Sequence, residues 1–256
     1  MNPRFLNAGR HLNRLPEILR CRKHTPDWRR LTSAYVGLNG ELPFHIRFSS
    51  GGFDFKEVGD IATFWQIFYR DIYPVKSSDR LIVDAGANIG AFSLYALQNA
   101  PNSDIIAIEP APDSCSRIRS MLRANTFDTK VTLHEAALGE FAGETTIQLD
   151  AGSQFRRTGM AGHRVAMVKL DSLIPADRSV DLLKIDIEGG EYGVLRSMSP
   201  DTLRRVRRII LEFHPEAPSS AALDPLKANR FNVTRYQDDG AGYGIAWLEN
   251  SILSSN

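Results

Sequence analysis

The sequence is poor in the features that hold secreted or membrane chains together. Only two cysteines, Cys21 and Cys115, occur in 256 residues. They form no metal-binding spacing and no disulfide framework, so a reducing cytoplasm is the simpler setting. No uninterrupted apolar run approaches the roughly 20 residues of a membrane helix. The N-terminus is basic but has no apolar core segment followed by small residues, which argues against a secretory signal. An excess of one charge is missing too. Lys and Arg number 31 against 30 Asp and Glu, a net charge of +1. That argues against a dedicated electrostatic nucleic-acid binder and leaves a local basic patch open. No internal repeat or low-complexity tract interrupts the chain. What is present, 43% hydrophobic and 24% charged residues, is ordinary for a globular protein. The length suits one large domain or one and a half.

The first 40 residues carry a basic bias, with Arg4, Arg10, Arg14, Arg20, Arg22, Lys23, Arg29 and Arg30. Leu12, Leu15, Ile18 and Leu19 could share a helix face after Asn13. The segment reads as a solvated arm or as a cap contacting an anionic group on a substrate. Leu42 to Phe48 alternates as a strand, and Gly51-Gly52 marks a turn. Asp54 to Tyr73 reads as a helix, with Val58, Ile61, Phe64, Trp65, Phe68 and Ile72 at helical spacing and Pro74 ending it. Its aromatic residues read as packing. Tyr73, where the chain enters the central sheet, is a candidate cofactor contact through its hydroxyl. The reading divides the chain into an extension, 1–78, and a main domain, 79–256.

That domain is organised around Leu81 to Gly90, LIVDAGANIG. Leu81, Ile82 and Val83 read as the end of a strand buried on both faces. Gly86 and Gly90 permit a tight turn with a close ligand approach. Phe92, Leu94, Tyr95 and Leu97 then read as a helix, whose start offers free N–H groups. Dinucleotide sites use G-x-G-x-x-G to seat a pyrophosphate. Here Asp84 replaces the first glycine, giving D-x-G-x-x-x-G. A carboxylate would repel a pyrophosphate but suits a cofactor with positive charge, such as S-adenosylmethionine. The plainer alternative is a tight turn in any α/β protein. Asp84, Gly86, Ala87, Asn88 and Gly90 are the candidate cofactor residues of the turn.

Strands and helices then alternate. Asp104 to Glu109 is a second buried strand closed by an acid 19 residues beyond Gly90. A carboxylate there can accept from both hydroxyls of a ribose, although Glu109 with Pro110 could simply cap the helix Pro112–Asn125. Lys130 to Leu138 reads as the third strand. Small residues such as Ala136 near its end leave room for adenine, and Glu135 could accept from the adenine amino group or be purely structural. Gly143–Asp150 and Arg164–Leu170 read as an antiparallel pair. The loop Ala151–His163, with Arg156 and Arg157, is a candidate lid or a solvated loop. Val180–Ile187 is the fourth strand, with Lys184 and Asp186 near its C-terminal end, followed by Glu188-Gly189-Gly190-Glu191. Arg207–Phe213 is the fifth, with Glu212 and His214 at its end; the run Arg204–Arg208 reads as its solvated start. A last helix, Ala221–Asn229, precedes a hairpin of Phe231–Gln237 and Gly244–Glu249. The order fits an α/β seven-stranded sheet whose last strand is antiparallel.

IVDAGANIG, AIEP, EAALGE, VKLDSLI, DLLKIDIEGGE and ILEFHP follow in this order over roughly residues 80–215. On these segments the chain resembles the S-adenosylmethionine-dependent methyltransferases of the FkbM family. The resemblance implies the class I, Rossmann-like methyltransferase fold and O-methylation of a sugar or another natural-product small molecule. No recognised motif covers the first 75 residues, where substrate choice would be expected to lie.

An alcohol is a poor nucleophile, so a base near it should help by roughly 10²–10⁴. In-line positioning can contribute about 7–11 kcal/mol. Asp186 and His214 are the candidate bases, and Asp186 could instead orient the cofactor. Mg²⁺ is not expected, although Asp186, Glu188 and Glu191 offer oxygen ligands for one. Three rival readings remain: a nucleotide-dependent oxidoreductase, a nucleic-acid or protein methyltransferase, and a non-catalytic S-adenosylmethionine-binding module. Asp84 speaks against the first. The balanced charge and Asp-Ile-Glu-Gly in place of an Asn-Pro-Pro-Tyr-type stretch speak against the second. A small-molecule acceptor is the expected partner, and a homodimer is compatible with the sequence.

Overall fold

The computed structural model describes residues 14–38, 40–49, 51–148, 162–215 and 219–253. They divide into two compact units, one running to Pro74 and including Arg119–Asp128, the other comprising the rest. The sequence places this division at 78/79 and does not foresee the return of 119–128.

The first unit contains α1 (Leu15–His24), α2 (Trp28–Tyr35), β1 (Phe44–Arg47), β2 (Gly52–Phe55) and α3 (Val58–Tyr69). β1 and β2 form an antiparallel pair with Phe44 opposite Phe55 and Ile46 opposite Phe53. Alternation buries one face of β1, and α3 adds Phe64, Trp65, Phe68 and Tyr69 to an aromatic core. Phe64 and Phe68 stack at 4.0 Å. The expected helix from Asp54 is corrected here: Asp54 and Phe55 end a strand, and the helix starts at Val58. Its aromatics do pack, as read. Asn125, on the returning segment, accepts from the Gly52 N–H at 3.0 Å and donates to the Gly52 carbonyl at 2.9 Å.

The second unit runs β3 (Leu81–Ala85), α4 (Ala91–Asn99), β4 (Asp104–Ile108), α5 (Pro112–Ala124), β5 (Val131–His134), β6 (Ala137–Leu138), β7 (Gly143–Ile147), β8 (His163–Val168), β9 (Leu182–Ile185), α6 (Glu191–Ser197), α7 (Pro200–Arg204), β10 (Arg208–Phe213), α8 (Ser219–Ala228), β11 (Phe231–Asp238) and β12 (Gly244–Asn250); the last turn of α5 belongs to the first unit. Seven strands form one sheet in the order β11-β12-β10-β9-β3-β4-β5. β9, β3, β4 and β5 run parallel, as do β9 and β10, and β12 is antiparallel to both its neighbours. Every residue of β3 and β9 is buried, as expected of central strands covered on both faces. From β3 the chain winds outward through β4 and β5, then returns to β9 on the other side. The carboxyl ends of β3 and β9 therefore flank the switch point where such sheets bind ligands.

Two further expectations change. Lys130–Leu138 is not one strand: β5 ends at His134, and Ala137–Leu138 joins β7 and β8 in a separate three-stranded sheet. The antiparallel pairing of β7 with β8 is as read, while the loop at 149–161 with Arg156 and Arg157, like Arg4, Arg10 and Leu12, lies outside the described residues. The run Arg204–Arg208 is not simply solvated. Arg208 is buried and donates to both Asp79 carboxylate oxygens, at 2.6 and 2.5 Å, and Arg205 donates to the carbonyls of Pro175 and Arg178.

Candidate active site

The turn after β3 is shaped by its glycines. Gly86 has φ +81°, and a Cβ there would lie 1.7 Å from the Asp186 carbonyl oxygen. Only glycine lets the end of β3 rest this closely on the end of β9. The Gly86 and Ala87 N–H groups donate to the Ile108 carbonyl, at 3.0 and 2.9 Å, tying the turn to β4. Gly90, φ +80°, opens α4. Asn88, itself left-handed at φ +50°, donates its N–H to Glu109 Oε2 at 2.8 Å. Glu109 Oε1 accepts from the Ala111 N–H at 2.9 Å. Two backbone donors thus fix the carboxylate plane.

Gly86, Asn88, Glu109, Ala136, Asp186 and Glu188 line one cleft that opens to solvent. Asn88 Oδ1, on its wall, is buried without a hydrogen-bond partner. Such an acceptor costs about 1–3 kcal/mol unless something donates to it, so the cleft is prepared for a polar ligand.

Not every expected cofactor residue reaches this cleft. Asp84 is fully buried beneath the turn, accepting from Ser93 Oγ at 2.7 Å and Lys184 Nζ at 3.2 Å. Its charge is met by a lysine, which corrects the idea that it faces a cationic ligand directly. Ala87 and Gly90 shape the turn without lining the cleft. Glu135 is exposed and is not a lining residue. Glu135 is therefore withdrawn as a cofactor contact. Tyr73 is a buried residue of the first unit.

Beyond β9 the chemistry is carried by charge. Lys184 is buried; its ammonium donates to the Gly86 carbonyl at 2.8 Å, and Asp186 Oδ2 lies 3.7 Å away. Burial opposes its charge, but Asp84 and Asp186 outweigh burial and raise its pKa. At Asp186, burial and then the negative charge of Glu212 outweigh Lys184 and push the carboxyl up to about 8.

His214, after β10, is held between two carboxylates: Nδ1 lies 3.0 Å from Glu191 Oε1, and Nε2 lies 3.3 Å from Glu188 Oε2. Ionised carboxylates only accept, so both ring nitrogens carry protons. Burial opposes this charge, but the hydrogen bonds from His214 to Glu188 and Glu191 outweigh it and push the pKa up to about 11. An imidazolium has no lone pair for a substrate proton, so the expectation of His214 as base is corrected. The carboxylate cluster Asp186, Glu188, Glu191 is corrected as well. Glu191 turns inward and accepts from the Ile187 and Gly189 N–H groups. Donor atoms of Asp186, Glu188 and His214, in place of Glu191, do lie within 4.8 Å of one another.

The sequence analysis places Lys184 near the end of the strand without giving it a partner, and does not foresee the pairing of His214 with Glu191. The signal for Lys184 was present: it is the one charged residue inside an otherwise apolar strand, and strand register sets it opposite Asp84.

A doubly wound seven-stranded sheet with a reversed last strand, and a cleft at its switch point bordered by a glycine turn, defines a Rossmann-like methyltransferase. Residues 84–232, more than half of the chain, match the family model of the methyltransferase FkbM domain, and the chain belongs to that family. It is 26% identical over 176 residues to Methyltransferase 1 of Beauveria bassiana, covering 57% of this chain and 70% of that protein. It is 24% identical over 237 residues to the 31-O-demethyl-FK506 methyltransferase FkbM of Streptomyces tacrolimicus, covering 78% and 89%. In fold it is similar to the crystal structure of Methyltransferase FkbM from Methylobacillus flagellatus KT, with a TM-score of 0.52 and 13% identity. That match covers 94% of this chain, which spans 60% of the other. No helix among the described residues is long and apolar enough to cross a membrane.

Proposed function

We propose that the chain is an S-adenosylmethionine-dependent methyltransferase acting on a hydroxyl of a sugar or another natural-product small molecule. The observation that carries this reading is the convergence, on one cleft, of the Gly86–Asn88 turn, an oriented Glu109 carboxylate and Asp186. Glu109 would hold the ribose hydroxyls, and Asn88 Oδ1 would accept from a donor of the same ligand. When bound, S-adenosylmethionine supplies a methyl group on a sulfonium, an electrophile with a neutral leaving group. The protein must then place the acceptor oxygen and take its proton. Asp186 is the base: a carboxyl raised to about 8 is matched to removing a proton near neutral pH. Acceptor class is supported by one relative whose name specifies methylation at the 31-O position of a demethyl-FK506.

Titration calorimetry with S-adenosylmethionine and S-adenosylhomocysteine tests the cofactor, with Glu109→Ala expected to weaken both ten- to hundredfold. Screening hydroxylated acceptors for S-adenosylhomocysteine release tests the transfer. Folded protein that binds neither adenosyl compound would end this reading.

A further inference from the structure

The turn that would hold the cofactor and the carboxylate that would meet the acceptor come from different strands, β3 and β9. One side chain touches both. Lys184 sits on β9 opposite Asp84 in the parallel ladder, and Asp186 follows two residues later on the same face. The Asp186 N–H donates to the Ala85 carbonyl at 3.1 Å, so the ladder continues to the base of the cleft.

An ammonium has three donors. Lys184 Nζ lies 2.8 Å from the Gly86 carbonyl, 3.2 Å from Asp84 Oδ1 and 3.7 Å from Asp186 Oδ2. Of these three the shortest is to the glycine turn, not to the carboxylate a buried lysine would be expected to neutralise. Asp84 has a second partner in Ser93. Neutralising Asp84 alone does not account for the contact with the Gly86 carbonyl.

We propose that Lys184 is a positioning residue that couples the two halves of the cleft, its ammonium fixing the Gly86 carbonyl on the cofactor side and the charge of Asp186 on the acceptor side. The inference rests on the proposed function. It makes the cofactor turn and the base one unit: displacing the ammonium loosens the turn and leaves Asp186 with its carboxylate neighbours and one of its two cations removed.

The competing role, simple neutralisation of Asp84, predicts a different outcome in a pair of variants. Lys184→Met strands the Asp84 carboxylate and could fail to fold. Asp84→Asn/Lys184→Met removes both charges together and keeps the test available. Binding of S-adenosylhomocysteine is measured by calorimetry, and the Asp186 midpoint by carbon NMR of aspartate-labelled protein, its resonance assigned by its loss in Asp186→Asn. Positioning predicts that the folded double variant binds S-adenosylhomocysteine at least about tenfold more weakly than wild type, and that its Asp186 midpoint rises by about one pH unit, a tenfold change in that equilibrium. Wild-type affinity and an unmoved midpoint in the double variant would overturn the proposal while leaving the function intact. Failure of the folded wild type to bind S-adenosylhomocysteine would instead bring down the functional reading.

Discussion

Asp186 and His214 end adjacent strands, face overlapping sets of carboxylates, and do opposite things with a proton. Asp186 is held up by burial and by Glu212, so its ionised fraction grows as pH passes through about 8. Methyl transfer should therefore rise about tenfold per pH unit below that point and level off above it. Asp186→Asn should flatten the profile and lower turnover by roughly 10²–10⁴; a pH–rate series on both proteins checks this. His214 instead contributes to stability. Its folded pKa, about 11, lies above its ordinary value of 6.5. The stabilisation is then complete below 6.5 and drains away as pH climbs toward 11. His214→Gln leaves buried Glu191 without its cation, a loss of about 3–5 kcal/mol. Urea midpoints at pH 6 and pH 9.5 should show a wide gap between wild type and variant at the lower pH and a narrower one at the higher.

At the scale of elements, the returning segment 119–128 depends on Asn125. This side chain is 3% exposed and bonds both the N–H and the carbonyl of Gly52, as well as the Met121 carbonyl. Asn125→Ala leaves the Gly52 groups without these partners, which should cost about 1–3 kcal/mol, read as a lowered urea midpoint with fast hydrogen exchange at Gly52. Nothing local in the sequence announces this bond, because its partners are 73 residues apart. The same distinction separates what was legible from what was not. β3, β4, β9 and β10 were legible as apolar runs closed by acids, since a strand buried on both faces writes its burial into consecutive residues. The glycine turn was legible because φ near +80° selects glycine at 86 and 90. Asp54–Phe55 was not, because the apolar spacing of α3 extends backward through a short strand. The environments of Glu191 and His214 were not, because which carboxylate turns inward is decided by backbone N–H groups of a loop. Asp84 was legible as important and misread in role: its partner, Lys184, is 100 residues away.

The molecule as a whole is nearly neutral, at +1, yet its cleft is not. Asp186, Glu188, Glu191 and Glu212 gather near the ends of β9 and β10 with Lys184 and His214 as their counterions. When Asp186 ionises, the balance there shifts by one negative charge. A sulfonium ligand should feel that shift and a neutral thioether should not, since the two adenosyl compounds differ in charge at sulfur alone. The ratio of S-adenosylmethionine to S-adenosylhomocysteine affinity is therefore expected to increase between pH 6.5 and pH 9. At an effective dielectric near 20, unit charges about 4 Å apart interact by about 4 kcal/mol, so even a pair several times weaker gives a severalfold change. The change should survive in Glu109→Ala, which acts on ribose, and vanish in Asp186→Asn. Calorimetry of both ligands at the two pH values reads it directly. A ratio that does not move in the wild type would mean that the charge at the ends of β9 and β10 is not what selects the adenosyl ligand.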